Sequence, residues 1–519
     1  MKKLSLFLAV TLCSLASMAT DFTGTLKVTV NGNVQQQNAT ISIDQNNGNY
    51  NLLLKNFVYE VNGVSKAVGN IAVSDVPAMA ASGKTLFYAY QNVTIANGDD
   101  ASATWIGPSL GEVPVKVVAR MQGDYAVVDF EMQLQDEVYA VFENVGDHFQ
   151  IPNSDFEGWA SSTGEPDHWH GFKSASGWLA GSAKGKLESS TDVRPGVTGK
   201  SALITSGSTF GIVNNGTMTN GQLNAGSMTA ASPDNHSHMN VNSTATDNNG
   251  DPFYTALYAA PDAIKTWIKY TQGNSSGNDS YHANLSAIAF DGNYYQDPED
   301  KTYTNVAAKA VDTLIVRGDW RELTIPFDYS SYAANNAPAQ AILVTISTNA
   351  KPGVGFSGDK VWVDDMALVY NANVTNLTYQ GTTIEGFDAN THEYIFAWES
   401  ETAPQASDFA LTVEGKSAVK VVNVEEIENG YRVVAMATSG DLMTANAYAI
   451  DYLVPTPVGK PGDANNDDKV DVNDVTTIIN YILGKNPTPF NSDNADVNGD
   501  STVDVMDVTL IINMILGIN

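Results

Sequence analysis

The sequence predicts a mainly all-β protein that ends in a small α-helical unit. Short segments in which apolar and polar residues alternate recur from residue 21 to residue 455, which is typical of half-buried strands. A helical spacing of apolar residues occurs only beyond residue 470, and 42 glycines with many Asn, Thr and Ser residues mark frequent turns. Because 519 residues are too many for one hydrophobic core, we expect several domains.

The charge of the chain limits its partners. With 27 Lys and Arg residues against 58 Asp and Glu residues, the formal net charge is −31. Nucleic-acid backbones and anionic lipid surfaces would repel such a chain, so we expect no nucleic-acid partner. The 22 Tyr, 18 Phe and 8 Trp residues are too many for a disordered acidic chain. No segment after the N-terminus is long and apolar enough to predict a membrane span.

Residues 1–19 have the features of a secretory signal peptide. Lys2 and Lys3 precede an apolar run over residues 4–15, and the small residue Ala19 ends the segment. This pattern predicts a secreted or cell-surface protein. The run is too short to span a bilayer.

Cys13 is the only cysteine and lies inside this segment. A lipoprotein, with Cys13 as the lipidated residue, is the alternative interpretation, but the preceding Leu12 is bulkier than such sites prefer. Cleavage after Ala19 would leave a chain without cysteine and therefore without a disulfide.

Residues 20–148 predict an antiparallel β-barrel. About eight alternating segments follow one another in meander order, including "TLKVTV", "YNLLLKNF" and "YAVVDFEMQL". This order, with phrases such as "GNIAVSDV", resembles the calycin-like (lipocalin-like) domains of secreted Bacteroidetes proteins. The resemblance implies a barrel whose interior either holds a small ligand or is filled by its own side chains.

Residues 149–371 resemble the carbohydrate metabolism domain found in Bacteroidetes. The phrases that carry the resemblance are "IPNSDFEGW" and "GEPDHWHGF" at the beginning, and "GDWRELTIPFDYSS" and "GDKVWVDDMALVY" at the end. The family implies a jelly-roll β-sandwich of the kind that carbohydrate-binding modules use. Glycan is therefore the expected ligand of this domain.

Aromatic side chains stack on sugar rings, and His side chains bond sugar hydroxyls. The glycan-binding residues that the sequence indicates are Trp169, His168, His170 and Trp178. Trp169 lies in a polar, turn-rich stretch, which predicts an exposed ring at a loop rim; the alternative is a Trp in the core. The pairs His168/His170 and His236/His238 also permit a zinc site, although no Cys is available to complete it.

The resemblance implies a structural Ca²⁺ between the first and last strands of the jelly roll. Glu157 and Asp365 match the places that would supply its ligands.

Residues 372–455 predict a small immunoglobulin-like β-sandwich of about six strands, with segments such as "ALTVEG", "AVKVVNVEEI" and "AYAIDYLV". Such modules are usually spacers. Residues 456–462, at the end of "VPTPVGKPG", predict a stiff linker.

Residues 463–519 contain two loops that are rich in oxygen ligands. In the first loop, carboxylates or amides fall at positions 1, 3, 5, 9 and 12, with a backbone carbonyl at position 7: Asp463, Asn465, Asp467, Asp471, Asp474 and Lys469. Calcium requires this spacing of hard ligands. An apolar stripe that follows predicts a helix: Val475, Ile478, Ile479, Ile482 and Leu483.

The pattern recurs 33 residues later. The second set of ligands is Asp496, Asn498, Asp500, Thr502, Asp504 and Asp507, and the second stripe is Val508, Ile511, Ile512, Ile515 and Leu516. The repeat predicts two Ca²⁺ ions and two short helices that pack on each other. The only alternative is an acidic flexible tail, which would not repeat in register.

Residues 462–517 resemble a type I dockerin with two F-hand (EF-hand-like) repeats. Each loop ends in Asp rather than Glu, and turn position 6, usually Gly, is Asp468 or Ser501. The family implies a cohesin-type partner that reads positions 10 and 11 of each loop. Those positions are Val472, Asn473, Val505 and Met506.

No Gly-x-Ser-x-Gly elbow, Walker loop or His-Glu-x-x-His motif is present. Two hypotheses remain. The first is a non-catalytic glycan-binding protein of a polysaccharide-degrading system, docked through the C-terminal repeats. The second is a hydrolase of O-glycosidic bonds whose site lies in the jelly roll; the 58 acids offer too many carboxylate pairs for sequence to select one. We prefer the first.

Overall fold

A computed structural model describes residues 19–160, 162–400, 402–454 and 459–518. The predicted signal peptide, apart from its last residue, and the first residues of the predicted linker lie outside these ranges. The chain divides into two compact units. The first comprises residues up to 392 with 406–423 and 434–448, and the second comprises 393–405, 424–433 and the remainder of the chain.

The N-terminal segment is one curved antiparallel sheet. Its strands are β1 (Thr20–Val30), β2 (Asn33–Asn46), β3 (Asn49–Val61), β4 (Val64–Val76), β5 (Ala78–Ala81), β6 (Lys84–Thr94), β7 (Glu112–Gln122), β8 (Tyr125–Gln133) and β9 (Glu137–Glu143), with a 3₁₀ turn at Gly107–Ser109. They pair in the order β4-β3-β2-β1-β9-β8-β7-β6-β5. Asn70 of β4 and Ala96 exchange backbone N–H···O bonds, which join the end strand β4 to the segment that follows β6. The predicted meander is confirmed, with β5 as an additional short strand.

The alternation of side chains along each strand decides which face of this sheet packs into the core. In β8, Ala126, Val128 and Phe130 point into a core that also contains Phe57 and Phe142. All five side chains are buried. This packing supports the interpretation that the interior is filled by the protein's own side chains.

The middle segment is a sandwich of two main antiparallel sheets. Its strands are β10 (Lys186–Ser190), β11 (Ser201–Thr205), β12 (Gly207–Thr209), β13 (Ile212–Asn214), β14 (Thr217–Thr219), β15 (Gln222–Ala225), β16 (Asn235–Met239), β17 (Ala263–Thr271), β18 (Ala283–Phe290), β19 (Tyr295–Asp297), β20 (Val306–Ile315), β21 (Gly318–Pro326), β22 (Ala341–Ser347) and β23 (Lys360–Val369). Two 3₁₀ turns lie at Ala180–Ser182 and Ala333–Asn335.

Four sheets are formed by these strands. One main sheet has the order β10-β11-β23-β17-β21, and the other has the order β14-β22-β18-β20. Strands β15-β16-β19 form a smaller sheet, and β12-β13 is a hairpin. The predicted all-β architecture of this segment is confirmed, and its assignment as a jelly roll stays a prediction.

The third segment contains β24 (Asn373–Tyr379), β25 (Thr382–Thr383), β26 (Glu393–Ala397), β27 (Phe409–Glu414), β28 (Val419–Ile427), β29 (Gly430–Thr438) and β30 (Ala445–Leu453), with a 3₁₀ turn at Ala406–Asp408. They form two sheets, β25-β24-β27 and β26-β30-β29-β28. The predicted small β-sandwich is therefore present, with seven strands rather than about six, and β26 pairs with β30 in parallel.

The C-terminal segment contains the helices α1 (Val472–Ile482), α2 (Ser492–Ala495) and α3 (Val505–Leu516). Its core is small and consists of Ala464, Ile478, Ala495, Val508 and Ile511. The predicted stripes pack only in part, because Leu483 and Leu516 are 64% and 63% exposed. In the described ranges, no helix has the length and apolar character needed to cross a membrane.

Candidate functional sites

A groove lies on the face of the sheet β14-β22-β18-β20 that points away from the sandwich core. Side chains alternate along β18, so that Asn284 and Ser286 line the groove while Leu285 and Ala287 enter the core. The same alternation places Lys309 of β20 in the groove. The groove has a volume of about 510 Å³, which is within the range of small-ligand sites.

Three Asn side chains on the groove have a buried polar atom without a hydrogen-bond partner in the described part of the chain. The atoms are Oδ1 of Asn215, Oδ1 of Asn284 and Nδ2 of Asn349. The other amide atoms of Asn215 and Asn349 are used: Asn215 Nδ2 donates to the Asn349 carbonyl at 2.8 Å, and Asn349 Oδ1 accepts from the N–H of Lys351 at 3.2 Å. Buried polar groups are nearly always bonded, so these three amides are candidate contacts for a polar ligand.

The groove carries the carboxyl group of Asp297 and the ammonium group of Lys309. Burial raises the pKa of Asp297, against the hydrogen bond from Ser286 and the positive charge of Lys309. Lys309 Nζ is paired with Glu299 Oε1 at 2.8 Å. Among the described residues that line the groove, Asp297 is the only carboxylate.

An exposed aromatic ring stands at the rim of the groove. Phe210 is 81% exposed and occupies the first position of the two-residue turn between β12 and β13, with a φ of 54°. This left-handed backbone normally selects Gly or Asn rather than Phe. Sequence reasoning missed Phe210, although "STFGIVN" contains a hairpin-turn signal with an aromatic residue at its tip.

The structure corrects the predicted exposure of Trp169. Its side chain is fully buried in the core of the sandwich, with its ring 5.3 Å from that of Phe156. Trp169 Nε1 donates to the Pro152 carbonyl at 3.2 Å. The ring therefore cannot stack on a glycan, because no face of it is accessible. His170 is also fully buried, so its predicted contact with a glycan is excluded for the same reason.

Trp178 is 71% exposed, and its Nε1 donates to the Gly226 carbonyl at 2.6 Å. It stands beside the groove without lining it. His168 is partly exposed and faces Asp251, with 3.7 Å between His168 Nδ1 and Asp251 Oδ1. Glycan binding by these two residues stays a prediction.

The structure gives Glu157 and Asp365 separate partners. Asp365 is ion-paired with Arg194, whose guanidinium lies over the Trp267 ring at 5.7 Å. Glu157 Oε1 accepts from the N–H of Lys200 at 2.9 Å. A structural Ca²⁺ on this pair stays a prediction.

The two C-terminal loops have the same internal geometry. Asp474 is fully buried and accepts backbone N–H groups on both oxygens, from Asn465 at 3.0 Å and from Asp471 at 2.8 Å. Asp471 in turn caps α1 and forms a capping box with Asp474. The last predicted ligand is thereby held at the base of the loop.

The second loop repeats these bonds around Asp507. Its Oδ2 accepts from the N–H of Asp504 at 2.9 Å and its Oδ1 from the N–H of Asn498 at 3.2 Å. The turn at position 6 is left-handed in both loops, with a φ of 65° at Asp468 and 68° at Ser501. The non-glycine residues at this position therefore adopt the conformation that Gly usually supplies.

Two family models match parts of the chain. Residues 18–147 match the calycin-like beta-barrel domain, and residues 461–516 match the dockerin type I domain. The chain thus carries a calycin-like domain and a type I dockerin. No curated protein matches the chain.

Three solved structures have some likeness to the chain. One, from Bacteroides vulgatus ATCC 8482 and described as a "putative glycoside hydrolase", is 18% identical with a TM-score of 0.26, and the match covers 35% of this chain and 76% of that one. Another of the same description, from Bacteroides thetaiotaomicron VPI-5482, is 13% identical with a TM-score of 0.27, covering 64% and 86%. SGBP-B from a complex xyloglucan utilization locus in Bacteroides uniformis is 12% identical with a TM-score of 0.18, covering 66% and 85%. TM-scores this low establish neither fold nor function.

Type I dockerins bind calcium, and the donor atoms of this dockerin fit that ion. Asp463, Asp474 and Asp507 are buried carboxylates in loops of oxygen ligands, which is the donor set that Ca²⁺ prefers. The buried oxygens are bonded by backbone N–H groups, and the described residues contain no closed cluster of three His, Cys, Asp or Glu side chains. Calcium would add the positive charge that these buried acids lack.

The predicted partner-reading residues lie at the first turns of α1 and α3. Val472, Val505 and Met506 are 66%, 66% and 64% exposed, and Asn473 is also exposed. The dockerin therefore presents them to solvent.

Proposed function

We propose that this protein is a non-catalytic glycan-binding component of a polysaccharide-degrading system. The jelly-roll groove binds the glycan, and the dockerin attaches the protein to a cohesin-type partner. Both roles place it outside the cell or on the cell surface, where dockerin-bearing proteins are typically found.

The observation that carries the proposal is the set of three unpartnered amide atoms on the groove. Sugar hydroxyls donate and accept hydrogen bonds, so a glycan in the groove offers partners of both kinds to the acceptors of Asn215 and Asn284 and the donor of Asn349. Phe210 at the rim offers an exposed ring for the C–H face of a sugar. The groove thus combines the two kinds of contact that glycan recognition requires.

Hydrolysis is the second candidate, and the groove supports it less well. Glycosidases of the common types use two carboxyl groups on either side of the scissile bond, about 5–9.5 Å apart. The raised pKa of Asp297 suits a general acid. Asp297 is, however, the single carboxylate among the described lining residues, so no second carboxylate is available as nucleophile or base.

A polysaccharide screen of the full-length protein separates these two functions. We expect retention on one class of glycan without release of reducing sugar over hours of incubation. If the protein releases reducing sugar and the variant Asp297→Asn does not, the groove is catalytic. The protein would then be a hydrolase and the proposal would be wrong.

Phe210→Ala tests whether the groove is the binding site. Loss of one stacking ring is expected to weaken glycan binding by roughly 1–3 kcal/mol, while the melting temperature stays unchanged because the side chain is 81% exposed. Calorimetric titration with the glycan found in the screen measures this loss. Tyr90→Ala, which removes an exposed ring of the N-terminal domain, is the matched control. Equal affinity of both variants would place the glycan elsewhere.

The dockerin is proposed to hold two Ca²⁺ ions, one in each loop. The ligands of the first are Asp463, Asn465, Asp467, Asp471, Asp474 and the carbonyl of Lys469, and those of the second are Asp496, Asn498, Asp500, Asp504, Asp507 and the carbonyl of Thr502. The matched hydrogen bonds of Asp474 and Asp507 support this equivalence. The exposed Val472, Asn473, Val505 and Met506 are proposed to contact the cohesin-type partner.

A further inference from the structure

The walls of the jelly-roll groove carry little charge. Most of the polar side chains that line it have hydroxyl or amide groups, and the exceptions are Asp297, Lys309 and His236. Lys309 is the only Lys or Arg among the described lining residues. Proteins usually recognise a carboxylate or a sulfate with Arg or Lys. The state of the Lys309 ammonium group therefore decides which class of glycan the groove accepts.

The ammonium group of Lys309 is already engaged by its neighbours. Lys309 Nζ is paired with Glu299 Oε1 at 2.8 Å, and it lies over the rings of Tyr332 and Tyr295 at 5.3 and 5.9 Å. The described lining of the groove includes none of these three partners. The charged end of Lys309 is thus compensated outside the groove, and its aliphatic stem is what the groove wall receives.

Glu299 is itself fixed in position. Its Oε1 also accepts from the hydroxyl of the fully buried Tyr295 at 3.1 Å. The side chains of Lys309 and Glu299 are only 21% and 32% exposed, so solvent screens their attraction less than that of a surface pair. Against the effect of burial, the hydrogen bond and charge of Glu299 raise the pKa of Lys309. Lys309 therefore stays charged at neutral pH, and leaving Glu299 for a ligand would cost this ion pair.

The two other ionisable groups of the groove do not provide a free cation. The positive charge of Lys309 also acts on Asp297, so one cation serves two acids. His236 Nδ1 lies 2.7 Å from the Pro233 carbonyl and its Nε2 lies 3.4 Å from the Tyr294 hydroxyl, so both ring nitrogens have protein partners. An acidic ligand would find no uncompensated positive charge on the described walls, and the net charge of −31 on the whole chain would repel it.

We propose that the groove selects neutral glycans over acidic ones, and that Glu299 enforces this selection by holding the ammonium group of Lys309. This selection rests on the glycan-binding function proposed above and names its class of ligand. The amides of Asn215, Asn284 and Asn349 suit the hydroxyls of an uncharged sugar. A uronate or a sulfated sugar would lose the hydration of its charge without gaining an ion pair, which is unfavourable.

Two derivatives of one glycan test this selection. The glycan found in the screen is converted to a carboxymethyl and to a hydroxyethyl derivative at the same degree of substitution, so that the two differ in charge but little in bulk. Calorimetric titration of the full-length protein is carried out at about pH 8, where histidine side chains are ordinarily neutral. About 0.5 M NaCl screens the charge of the chain as a whole. We expect the carboxymethyl derivative to bind roughly 10-fold more weakly, or worse, than the hydroxyethyl derivative.

Glu299→Gln tests the role of the ion pair. The variant keeps an oxygen that accepts from the Tyr295 hydroxyl but releases the ammonium group of Lys309. The ratio of the two affinities is the readout, and we expect it to shift roughly 3- to 10-fold toward the carboxymethyl derivative. Adding Lys309→Gln should remove this shift, because the shift depends on the ammonium group. Glu188→Gln removes the exposed partner of Lys186 in the same domain and is the matched control.

The failures of the selection and of the binding site are distinguishable. Equal affinity of the unchanged protein for both derivatives, or a preference for the acidic one, would overturn the selection and leave glycan binding intact. An unchanged ratio in a folded Glu299→Gln protein would show that Glu299 does not enforce it. If Glu299→Gln does not fold, Glu299→Asp withdraws the carboxylate by one methylene and is read in the same way. If Phe210→Ala does not weaken binding of the parent glycan, the proposed binding site itself is wrong.

Discussion

Far-UV circular dichroism of the fragment 456–519 is expected to show little helix in excess chelator and to gain helix when Ca²⁺ is added. The fragment has ten Asp residues against three Lys residues, Lys460, Lys469 and Lys485, a formal charge of −7. Its buried core consists of only five side chains. Domains this small usually need a metal or a disulfide to fold, and no cysteine is available.

The helices are too short to be stable without the bound ions. The two long helices, α1 and α3, have 11 and 12 residues, a length at which isolated helices are marginal in water. The buried Asp474 and Asp507 repel the other acids of their loops until a cation binds. The binding free energy of Ca²⁺ is therefore expected to supply the folding free energy of the dockerin.

Single substitutions should remove the ions one at a time. Asp474→Ala is expected to abolish the first site and Asp507→Ala the second, each reducing the stoichiometry from two ions to one. At 1,000 times Kd, one ion stabilises the folded state by about 4 kcal/mol, so each loss is expected to cost that amount. Asp493→Ala, which removes an exposed acid outside the loops, is the control. Full helicity in chelator would contradict this account.

Repeated local patterns made the dockerin and the N-terminal domain predictable. Ligand spacing in the loops and alternation in the strands are set by neighbours in the sequence, and eight of the nine strands of the first domain follow the predicted meander. The four-residue β5, after Pro77, is too short to show a period. The exposure of Leu483 and Leu516 was not predictable, because two short helices that pack on each other bury only one face of each.

The groove could not be predicted because its residues come together only in the fold. Asn215, Asn284 and Asn349 are each separated by more than 60 positions in the sequence, and Asn is frequent throughout the chain. Phe210 is recognisable as a rim residue only once the hairpin β12-β13 is placed beside the groove. No local period marks such a site.

Trp169 shows the limit of reasoning from sequence neighbours. His168 and His170 beside it predict a polar, exposed stretch, yet the structure places Asp251 and Asp247, some 80 residues away, against these two imidazoles. The polar groups are accommodated by a distant loop, and the indole between them is left to enter the core. The polarity of its sequence neighbours therefore did not predict the exposure of Trp169.

Trp169→Ala is expected to lower the free energy of unfolding by about 3–5 kcal/mol, the usual cost of removing a large buried aromatic side chain. The ring is fully buried against Phe156, and its Nε1–H is bonded to the Pro152 carbonyl, so truncation leaves both a cavity and an unpaired acceptor. Urea unfolding of the full-length protein in saturating Ca²⁺, monitored by far-UV circular dichroism, measures the loss.

The glycan affinity of the folded Trp169→Ala protein is expected to stay unchanged, because Trp169 does not line the groove. Trp178→Ala is the matched control: its side chain is 71% exposed, and surface substitutions usually change stability by about 0.5 kcal/mol or less. A Trp169→Ala protein with unchanged stability and weakened glycan binding would show that Trp169 is exposed at the rim of the groove and that its buried position is wrong.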